Sequence, residues 1–276
     1  DFEYATCDNE FEYVRCNKCG HHYVQPRPSV SELGVIYPER YGNYSNSVNP
    51  GLAFRVKALL ERRALRRICA GLPDGAAVLD VGCGDGRLLE SIRSVGPEGT
   101  TVEGIEISDR AAVGARARGI EVRIGSIDQL ALPPESYDLI SLIQVIEHVI
   151  DPVACIEKIH DALKPGGRVW FETPSTRCLD FGLFKRRYWG GYHFPRHFNL
   201  FEPGNFTMLL ERYGFSVESI AHKVQPVHWV WTCHHWFKEH GWPGWWTESF
   251  NIRNPLFLGI FTLVDGAQVL FLKRSS

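Results

Sequence analysis

The feature that most constrains the fold is a glycine-rich turn at residues 78–86, which read VLDVGCGDG. An apolar run typical of a β-strand ends near Asp80, and glycines follow at alternate positions, Gly82, Gly84 and Gly86. A segment with apolar residues at helical spacing comes next. Glycine lets the backbone turn sharply between strand and helix and leaves amides open to a ligand. The stretch therefore predicts an α/β domain with a ligand site at the end of this strand.

The residues around the turn indicate what kind of ligand it binds. A dinucleotide-binding fingerprint has the spacing Gly-x-Gly-x-x-Gly, whereas here Arg87 stands at the position of the last glycine. Asp80 and Asp85 flank the loop, and neither carboxylate favours a pyrophosphate. A carboxylate suits a cationic ligand or one that offers an amine. The loop therefore favours S-adenosylmethionine, which carries a sulfonium and an α-amino group, over NAD.

A second acidic residue has the position expected of a ribose-binding group. Residues 101–108 read TVEGIEIS and predict a strand that ends at Glu106. This glutamate lies about 20 residues beyond the loop, where a mononucleotide-binding βαβ unit carries its ribose-binding acid. The two segments together predict one nucleoside-binding site.

Two further motifs follow in the order found in a known enzyme family. Residues 137–149 read YDLISLIQVIEHV, and residues 163–172 read LKPGGRVWFE. With the two earlier segments they resemble the class I S-adenosylmethionine-dependent methyltransferases, of the small-molecule type found in ubiquinone biosynthesis and natural-product pathways. The resemblance implies an α/β, Rossmann-like, seven-stranded, mostly parallel sheet with helical and aromatic insertions on the acceptor side. It also implies S-adenosylmethionine-dependent methylation of a small molecule, with oxygen favoured and S-adenosylhomocysteine released.

The resemblance implies a set of cofactor-binding residues. Asp80 and the glycine loop would hold the methionine part, and Glu106 would take both ribose hydroxyls. Ser126 would lie at the edge of the adenine. Relatives often have Asp at this position, whose carboxylate contacts the adenine amine, and Asp128 is a weak substitute for that contact. Tyr41 or Tyr44 would close over the cofactor, or else pack on the surface. The full predicted set is Tyr41, Asp80, Gly82, Cys83, Gly84, Gly86, Glu106, Ile107, Ser126, Ile127, Gln144 and Val145.

Histidine is the expected general base. Methyl transfer is an in-line displacement on a sulfonium, so a hydroxyl acceptor must be aligned and must lose its proton. The pair Glu147-His148 follows the fourth strand and is the sharper catalytic candidate in this half of the chain, because histidine titrates near neutral pH. The alternative is that His148 caps the following turn.

The segment after the fifth strand resembles a substrate lid. Residues 188–201 read YWGGYHFPRHFNLF and are similar to lids of O-methyltransferases in which an Arg-His pair lies by the acceptor. The candidate residues there are Tyr192, His193, Arg196 and His197, with Tyr192 and Arg196 orienting the acceptor. His193 and His197 have the spacing of a helical metal pair, but Pro195 argues against a helix. Base or substrate contact is therefore preferred over metal, and a structural role for either histidine stays open.

The N-terminal segment contains half of a zinc ribbon. Cys16 and Cys19 form a Cys-x-x-Cys-Gly knuckle between two short β-like runs. Tetrahedral zinc needs four ligands, and one knuckle supplies two. Cys7, His21 or His22 could complete the site, whereas in some relatives a second cysteine pair precedes this segment. A ribbon without metal is the equal alternative.

Composition restricts the protein class only broadly. The net charge of −2 gives no general argument for nucleic-acid binding. Eight scattered cysteines without a secreted disulfide framework favour a reducing, cytoplasmic setting. No run of about 20 apolar residues predicts a membrane span, and no signal peptide is recognisable. An amphipathic helix over residues 52–68 has a basic face. Exposure of this face to solvent is the preferred interpretation, and contact with a membrane surface or an anionic substrate is the minor one.

A tryptophan-rich insertion departs from the minimal fold. Residues 226–265 contain six of the eight tryptophans and, after the last of them, an apolar stretch at 256–264. Three uses compete: a wall around an apolar or aromatic acceptor, a homodimer face, and a peripheral membrane anchor. The first two are favoured.

The predicted organisation has three parts. Residues 1–28 form the partial ribbon, residues 29–70 a helical lid, and residues 71–276 the methyltransferase domain. That domain includes the acceptor-side lid 174–201 and the insertion 226–265.

Two other functions stay open. One is an RNA or protein methyltransferase that uses the ribbon and the basic helix, and the other is a non-catalytic S-adenosylmethionine-binding protein.

Overall fold

A computed structural model describes most of the chain. The described residues are 6–29, 32–37, 52–185, 187–224, 226–247 and 265–274. The predicted cofactor contacts of Tyr41 and Tyr44, and the apolar stretch 256–264, lie outside them. None of the helices in the described part combines the length and apolar character of a membrane span.

Strands and helices alternate through most of the chain. The strands are β1 (Glu12–Arg15), β2 (His22–Gln25), β3 (Ala77–Val81), β4 (Thr101–Glu106), β5 (Glu121–Ile124), β6 (Tyr137–Ile143), β7 (Leu163–Pro174), β8 (Asn199–Leu200), β9 (Phe215–Val224) and β10 (Asp265–Arg274). The helices are α1 (Leu33–Ile36), α2 (Leu52–Cys69), α3 (Arg87–Val95), α4 (Asp109–Ala117), α5 (Pro152–Ala162), α6 (Leu179–Phe184), α7 (Pro203–Arg212), α8 (Pro226–Glu239) and α9 (Gly244–Thr247). Short 3₁₀ turns lie at Ile146–His148 and Gly190–Tyr192.

Seven strands form the main sheet in the order β5-β4-β3-β6-β7-β10-β9. The strands from β5 to β7 are parallel, and β10 runs antiparallel between β7 and β9. The predicted mostly parallel sheet with an antiparallel edge pair is therefore confirmed. The chain leaves β3 towards β4 and later returns to the other side of β3 as β6. Such a reversal opens a crevice at the carboxyl ends of the strands, where α/β folds bind ligands.

The two faces of the sheet bury separate apolar clusters. Successive strand residues point to opposite faces, so Val78 joins one cluster with Leu89 of α3, and Leu79 joins the other with Ile156 of α5. All four side chains are buried. A parallel strand covered by helices on both faces must be apolar along its whole length. The run Ala77–Val81 satisfies this requirement up to Asp80, which is the buried exception.

Two strand ends next to the site have a distinct backbone. Strand β6 ends at Ile143, because Gln144 has φ 56° and left-handed backbone does not continue a strand. Strand β7 begins at Leu163. Leu163 pairs with Tyr137 while Arg168 pairs with Leu139, so the residues between them bulge from the ladder.

A second, smaller sheet joins segments that are distant in the sequence. Strand β8 of the acceptor-side lid pairs antiparallel with β2, giving the order β1-β2-β8. The ring of Tyr13 stacks on that of Tyr192 at a centroid distance of 4.9 Å. Helix α8 packs on the same lid, where the Thr232 hydroxyl oxygen accepts a 2.8 Å hydrogen bond from the Gly190 amide. Residues 6–29, 175–201 without 186, and 226–247 are called the cap below.

Candidate active site

The carboxyl ends of the central strands surround a cavity of about 410 Å³. This volume lies within the range of small-molecule sites, roughly 300–1,000 Å³. Seven of the residues predicted to bind the cofactor line it: Gly82, Glu106, Ile107, Ser126, Ile127, Gln144 and Val145. Tyr37, Asp128 and His148 also contribute to the wall. The structure thus brings together residues from four strand ends and Tyr37, which directly follows the N-terminal helix α1.

The glycine loop is fixed to the neighbouring strand by its backbone. The amides of Gly82 and Cys83 both donate to the Ile105 carbonyl, at 2.8 and 3.0 Å. Gly82 has φ 77°, and a Cβ there would lie 2.6 Å from Cγ2 of Val145. Only glycine therefore fits between this turn and the end of β6, and its absent side chain keeps the cavity open.

Glu106 is held at the rim of the cavity by two backbone amides. One carboxylate oxygen accepts from Gly84 N and the other from Ser108 N, each at 2.9 Å. These bonds fix the carboxylate at the end of β4. Each oxygen keeps a further lone pair, so the group can still accept two hydrogen bonds from neighbouring hydroxyls.

Four predicted residues lie behind the cavity instead of lining it. Asp80 is buried and accepts a 2.6 Å hydrogen bond from the Ser141 hydroxyl. Burial raises the pKa of Asp80 to about 7, and the nearby Glu106 charge adds to this effect. The Cys83 thiol fills the space that a Cβ on Gly104 would need. The remaining two, Gly84 and Gly86, shape the turn.

Gln144 presents a buried polar group to the cavity. Its left-handed backbone is anchored by a 2.7 Å hydrogen bond from its amide to the Glu172 carbonyl. Its side-chain Nε2 is buried and has no hydrogen-bond partner among the described residues. A buried donor without a partner costs free energy. A ligand in this cavity that offers an acceptor would remove that cost.

Tyr37 is the N-terminal tyrosine that reaches the site within the described residues. It lines the cavity, and its hydroxyl lies 3.1 Å from His148 Nδ1. Burial raises the pKa of Tyr37 well above its usual value. The sequence indicated Tyr41 or Tyr44 for this role, which lie outside the described residues, and did not identify Tyr37.

Glu147, His148 and His197 form a cluster next to the cavity, in which Glu147 and His197 are buried and His148 is half-buried. One ligand atom from each side chain lies within 4.8 Å of the other two. His197 Nε2 is 4.0 Å from Glu147 Oε1, and the other Glu147 oxygen accepts a 2.9 Å bond from the Thr173 hydroxyl. His148 is the member that also lines the cavity. Two predicted candidate bases are therefore adjacent, and Glu147, which the sequence paired with His148, lies beside both.

Burial dominates the electrostatics of this cluster. It lowers the pKa of His148 to about 3 and holds the pKa of His197 well below its usual value, so both imidazoles are neutral at pH 7. It raises the pKa of Glu147 to about 8, with the Glu172 charge as a smaller contribution. Desolvation disfavours the charged form of each group, which explains the opposite directions.

The other lid residues have different surroundings. Arg196 is fully buried and donates to the carbonyls of Ile36 at 2.7 Å and Phe194 at 3.1 Å. Tyr192 is buried, and its hydroxyl donates to the Lys185 carbonyl. Neither residue lines the cavity of Glu106 and Gln144, whereas Tyr192 lines the second cavity described next. Their hydrogen bonds hold the cap together, and their role in orienting the acceptor stays a prediction.

His193 lies between two cavities. It lines a second cavity of about 790 Å³ between the ribbon and the rest of the cap. Its ring is 6.0 Å from that of His148 and 5.0 Å from that of His197, measured between centroids. Its φ of 43° is left-handed, so residues 193–196 form a turn rather than the helix that a metal pair at this spacing would need.

The ribbon cysteines are not brought together with further ligands among the described residues. Cys16 and Cys19 lie in one turn, which ends at Gly20. The cluster of Glu147 and its two histidines is the group that could hold a metal ion in this part of the chain. His21 Nε2 instead lies 3.1 Å from the Asn199 side-chain oxygen. A zinc site at the knuckle therefore stays a prediction.

Comparison with known proteins agrees with this geometry. The family described as "Methyltransferase domain" matches residues 54–220, more than half of the chain. A ubiquinone biosynthesis O-methyltransferase of Nitrosospira multiformis is 38% identical over 169 residues, or 59% of this chain and 60% of that protein. The enzyme of the same name from Xanthomonas euvesicatoria is 36% identical over 113 residues, 40% of this chain and 47% of that protein. The chain thus spans about half the length of such relatives.

Solved structures share the fold at low identity. The phospholethanolamine N-methyltransferase 2 of Haemonchus contortus, solved with S-adenosylhomocysteine, has a TM-score of 0.56 at 16% identity, covering 79% of this chain and 53% of that one. The [4+2]-cyclase SpnF has a TM-score of 0.56 at 16% identity, covering 83% and 85%. At this identity the likeness concerns the fold alone. The family match, the strand order and the cavity agree, and the chain belongs to the class I S-adenosylmethionine-dependent methyltransferases.

Proposed function

We propose that this protein transfers a methyl group from S-adenosylmethionine to an oxygen of a small molecule and releases S-adenosylhomocysteine. The observation that carries the proposal is the contact between the two parts of the site. The cavity that holds Glu106 and Gln144 shares His148 with the buried cluster of Glu147 and His197. The choice of oxygen is supported by the O-methyltransferase relatives, which are 36–38% identical over their matched regions.

The residues of the cavity fit the cofactor by their chemistry. Glu106 accepts the ribose hydroxyls, Ser126 and Ile127 edge the adenine, and Gln144 donates its unpartnered Nε2 to an acceptor of the ligand. The buried Asp80 carboxylate attracts the cationic groups of the methionine part from beneath the loop. When bound, the cofactor supplies a methyl group that is already activated by its sulfonium.

His148 and its neighbours prepare the acceptor. The new bond joins the acceptor oxygen to the methyl carbon, and the carbon–sulfur bond breaks with its electron pair passing to sulfur. The hydroxyl proton must leave the acceptor, and His148 is the imidazole placed at the cavity to receive it. Its pKa of about 3 means that it passes the proton on to solvent rather than keeping it. Alignment within this buried wall contributes to the rate together with proton removal. Arg196 and Tyr192 act by holding the cap in place.

The second cavity suits the body of the acceptor. Aromatic side chains from the ribbon and the lid line it, among them Tyr13, Trp189 and Phe194, and His193 separates it from His148. An apolar or aromatic acceptor packs well on such a surface.

The exposed rings of Trp242 and Trp245 lie on the cap as well, and they favour a homodimer face over a peripheral membrane contact. Zinc at Cys16 and Cys19 would stabilise the ribbon only.

Labelled methyl transfer tests the proposal. The protein is incubated with S-adenosylmethionine labelled in its methyl group and with phenols, catechols, sugars and lipid-like alcohols. Transfer to a hydroxyl compound that is lost in His148→Ala supports it. Label found only in RNA or protein, and lost when Arg62, Arg63, Arg66 and Arg67 are neutralised, would replace it with the macromolecular alternative. Cofactor binding without any transfer would favour a non-catalytic binding protein.

A further inference from the structure

We propose that Lys158 is a positioning residue for the cofactor, although its side chain does not line the cavity. Its ammonium fixes the loop of residues 126–130, and the fixed loop makes the site select adenine over a base with a different hydrogen-bond pattern. The inference uses the cofactor of the family and is independent of the methyl acceptor.

Three carbonyl oxygens of the 126–130 loop converge on the ammonium group of Lys158. They belong to Ile127 at 2.5 Å, Asp128 at 3.2 Å and Leu130 at 2.9 Å from Nζ. An ammonium carries three N–H donors and no acceptor, so the three carbonyls use its full capacity. Hydrogen bonds from a charged donor are stronger than those between neutral groups. One side chain therefore fixes most of the loop.

The helix that carries Lys158 is a firm support. The Asp151 carboxylate caps α5, and Ile156 and Ile159 of the same helix are fully buried. The 126–130 loop, in contrast, belongs to neither a strand nor a helix. Among the described residues, the bonds within its own backbone run to the Ser126 carbonyl. The helix therefore positions the loop through the lysine, and not the reverse.

Anchoring the carbonyls decides where the amides point. The Ile127 carbonyl and the Asp128 amide belong to one trans peptide, in which C=O and N–H point in opposite directions. Because this carbonyl points to Lys158, the amide points away from it. Ile127 and Asp128 both line the cavity, and the Asp128 amide donates to no backbone or side-chain group in the described part of the chain. It is therefore an available donor beside the cavity.

The Asp128 side chain adds an acceptor at the same place. Burial raises the pKa of its carboxyl, and the Lys158 charge and the amides of Ile150 and Asp151 partly offset this effect. Lys158 thus favours the ionised carboxylate and also holds the backbone that carries it.

A donor and an acceptor on one residue match one edge of adenine. Adenine N1 accepts a hydrogen bond and its amino group donates one, and proteins read bases through this edge. Hypoxanthine has the opposite pattern, because its N1 carries a hydrogen and an oxygen replaces the amino group. A site that offers fixed polar partners rejects a ligand that leaves them unpaired. The loop held by Lys158 should therefore reject hypoxanthine.

The test compares two ligands that differ only in the base. Calorimetry is run with S-adenosylhomocysteine and with its deaminated analogue S-inosylhomocysteine, so no acceptor and no turnover are involved. We expect the wild type to prefer adenine at least ~10-fold, and Lys158→Met to reduce that preference by about 5–10-fold, the value of roughly one hydrogen bond. Lys158→Arg should retain most of the preference, because a guanidinium also offers several donors.

Lys164→Met is the matched control. Lys164 also holds a neighbouring element through its ammonium, which lies 2.6 Å from the Asp138 carboxylate, but it has no bond to the 126–130 loop. We expect a lower free energy of unfolding in this variant and an unchanged preference between the two bases. A general loss of stability is thereby distinguished from a loss of positioning.

Three results would overturn the role of Lys158: equal affinity of the wild type for both ligands, an unchanged preference in Lys158→Met, or an equal loss in Lys164→Met. Circular dichroism establishes folding, and Lys158→Gln replaces Lys158→Met if the latter does not fold. Hydrogen exchange gives a separate reading, since S-adenosylhomocysteine should protect the Asp128 amide of the wild type, and no protection would also overturn the role. Failure to methylate any acceptor would contradict the proposed function while leaving these affinity ratios unaffected.

Discussion

The two sides of the active site are built by different kinds of contact. On the cofactor side, β3, its glycine turn and α3 follow one another within about 20 residues, and their amides bond to the next strand. On the acceptor side, the Tyr13 hydroxyl bonds to the His197 carbonyl, 184 residues away, and β2 pairs with β8. The cofactor side is therefore a local, continuous structure, and the acceptor side depends on distant segments meeting. Substitutions should affect the two sides separately.

The largest effect is expected on the cofactor side, from Gly82→Ala. A methyl group at this position would lie 2.6 Å from Val145 Cγ2, in a left-handed backbone that L-residues avoid. We expect S-adenosylmethionine affinity to fall at least ~100-fold, measured by calorimetry, because the displaced loop closes the cavity. Gly75→Ala is the matched control, since Gly75 has a similar φ of 71° and open space around it. Equal loss in both variants would mean that backbone strain alone is responsible.

The next effect separates the acceptor side from the cofactor side. His148→Ala should lower the rate of methyl transfer by roughly 10²–10⁴ while the dissociation constant of S-adenosylmethionine changes little. His160→Ala, on the outside of α5 against Phe215, should leave both quantities unchanged. The measurements are single-turnover kinetics and equilibrium binding. A parallel loss of cofactor affinity in His148→Ala would contradict the separation of the two sides.

A pH dependence follows from the buried Asp80. Its pKa of about 7 in the empty site means that the carboxyl is mostly protonated at pH 6 and mostly ionised at pH 8. A cationic ligand binds the ionised form, so S-adenosylmethionine affinity should rise with pH, by up to ~10-fold between pH 6 and pH 8. Asp80→Asn should bind more weakly and lose this dependence. Affinity that falls as the pH rises would show that Asp80 does not face the cation.

The same pKa affects stability. Asp80 has a raised pKa in the folded state, so the folded protein keeps a proton that the unfolded chain has already lost. The contribution of Asp80 to the free energy of unfolding is therefore lost as the pH rises from about 4 through 7. Denaturant titrations of the wild type and of Asp80→Asn should diverge across that range.

The smallest effect concerns the joint between ribbon and lid. Tyr13→Phe removes a hydroxyl that lies 2.5 Å from the His197 carbonyl and 3.0 Å from the Tyr192 carbonyl. We expect a loss of about 1 kcal/mol in the free energy of unfolding and a raised acceptor KM, with cofactor affinity unchanged. Tyr23→Phe is the control, because the Tyr23 hydroxyl has no hydrogen bond to the described part of the chain. Equal behaviour of the two variants would contradict the proposed joint.

The cofactor side could be predicted because its signals are local. The apolar run at 78–81, the alternate glycines and the helical spacing that follows them each act within a few residues. The strand, the turn and the helix were therefore all predicted in their observed order. The left-handed turn at Gln144 was not foreseen, because nothing in the residue itself indicates φ 56°. It is imposed by the bond to Glu172 in the neighbouring strand.

The acceptor side could be predicted only as a list of residues. The sequence identified His148 and His197 separately, but their meeting with Glu147 depends on how the lid returns to β2. Arg196 was expected at the acceptor because its segment resembles lids in which an Arg-His pair lies there. Its guanidinium donates to the carbonyls of Ile36 and Phe194, and its place at the acceptor stays a prediction. Pairings over more than a hundred residues leave no periodic signal in the sequence.

The most direct test of the account is calorimetric titration of the purified protein with S-adenosylmethionine and, separately, with NAD. The geometry of Gly82, Glu106 and Gln144 predicts micromolar binding of S-adenosylmethionine and no detectable heat with NAD. Glu106→Gln should weaken the first titration, because the ribose hydroxyls lose a charged acceptor. Binding of NAD, or failure of the wild type to bind S-adenosylmethionine, would contradict the assignment of the cavity and the reaction built on it.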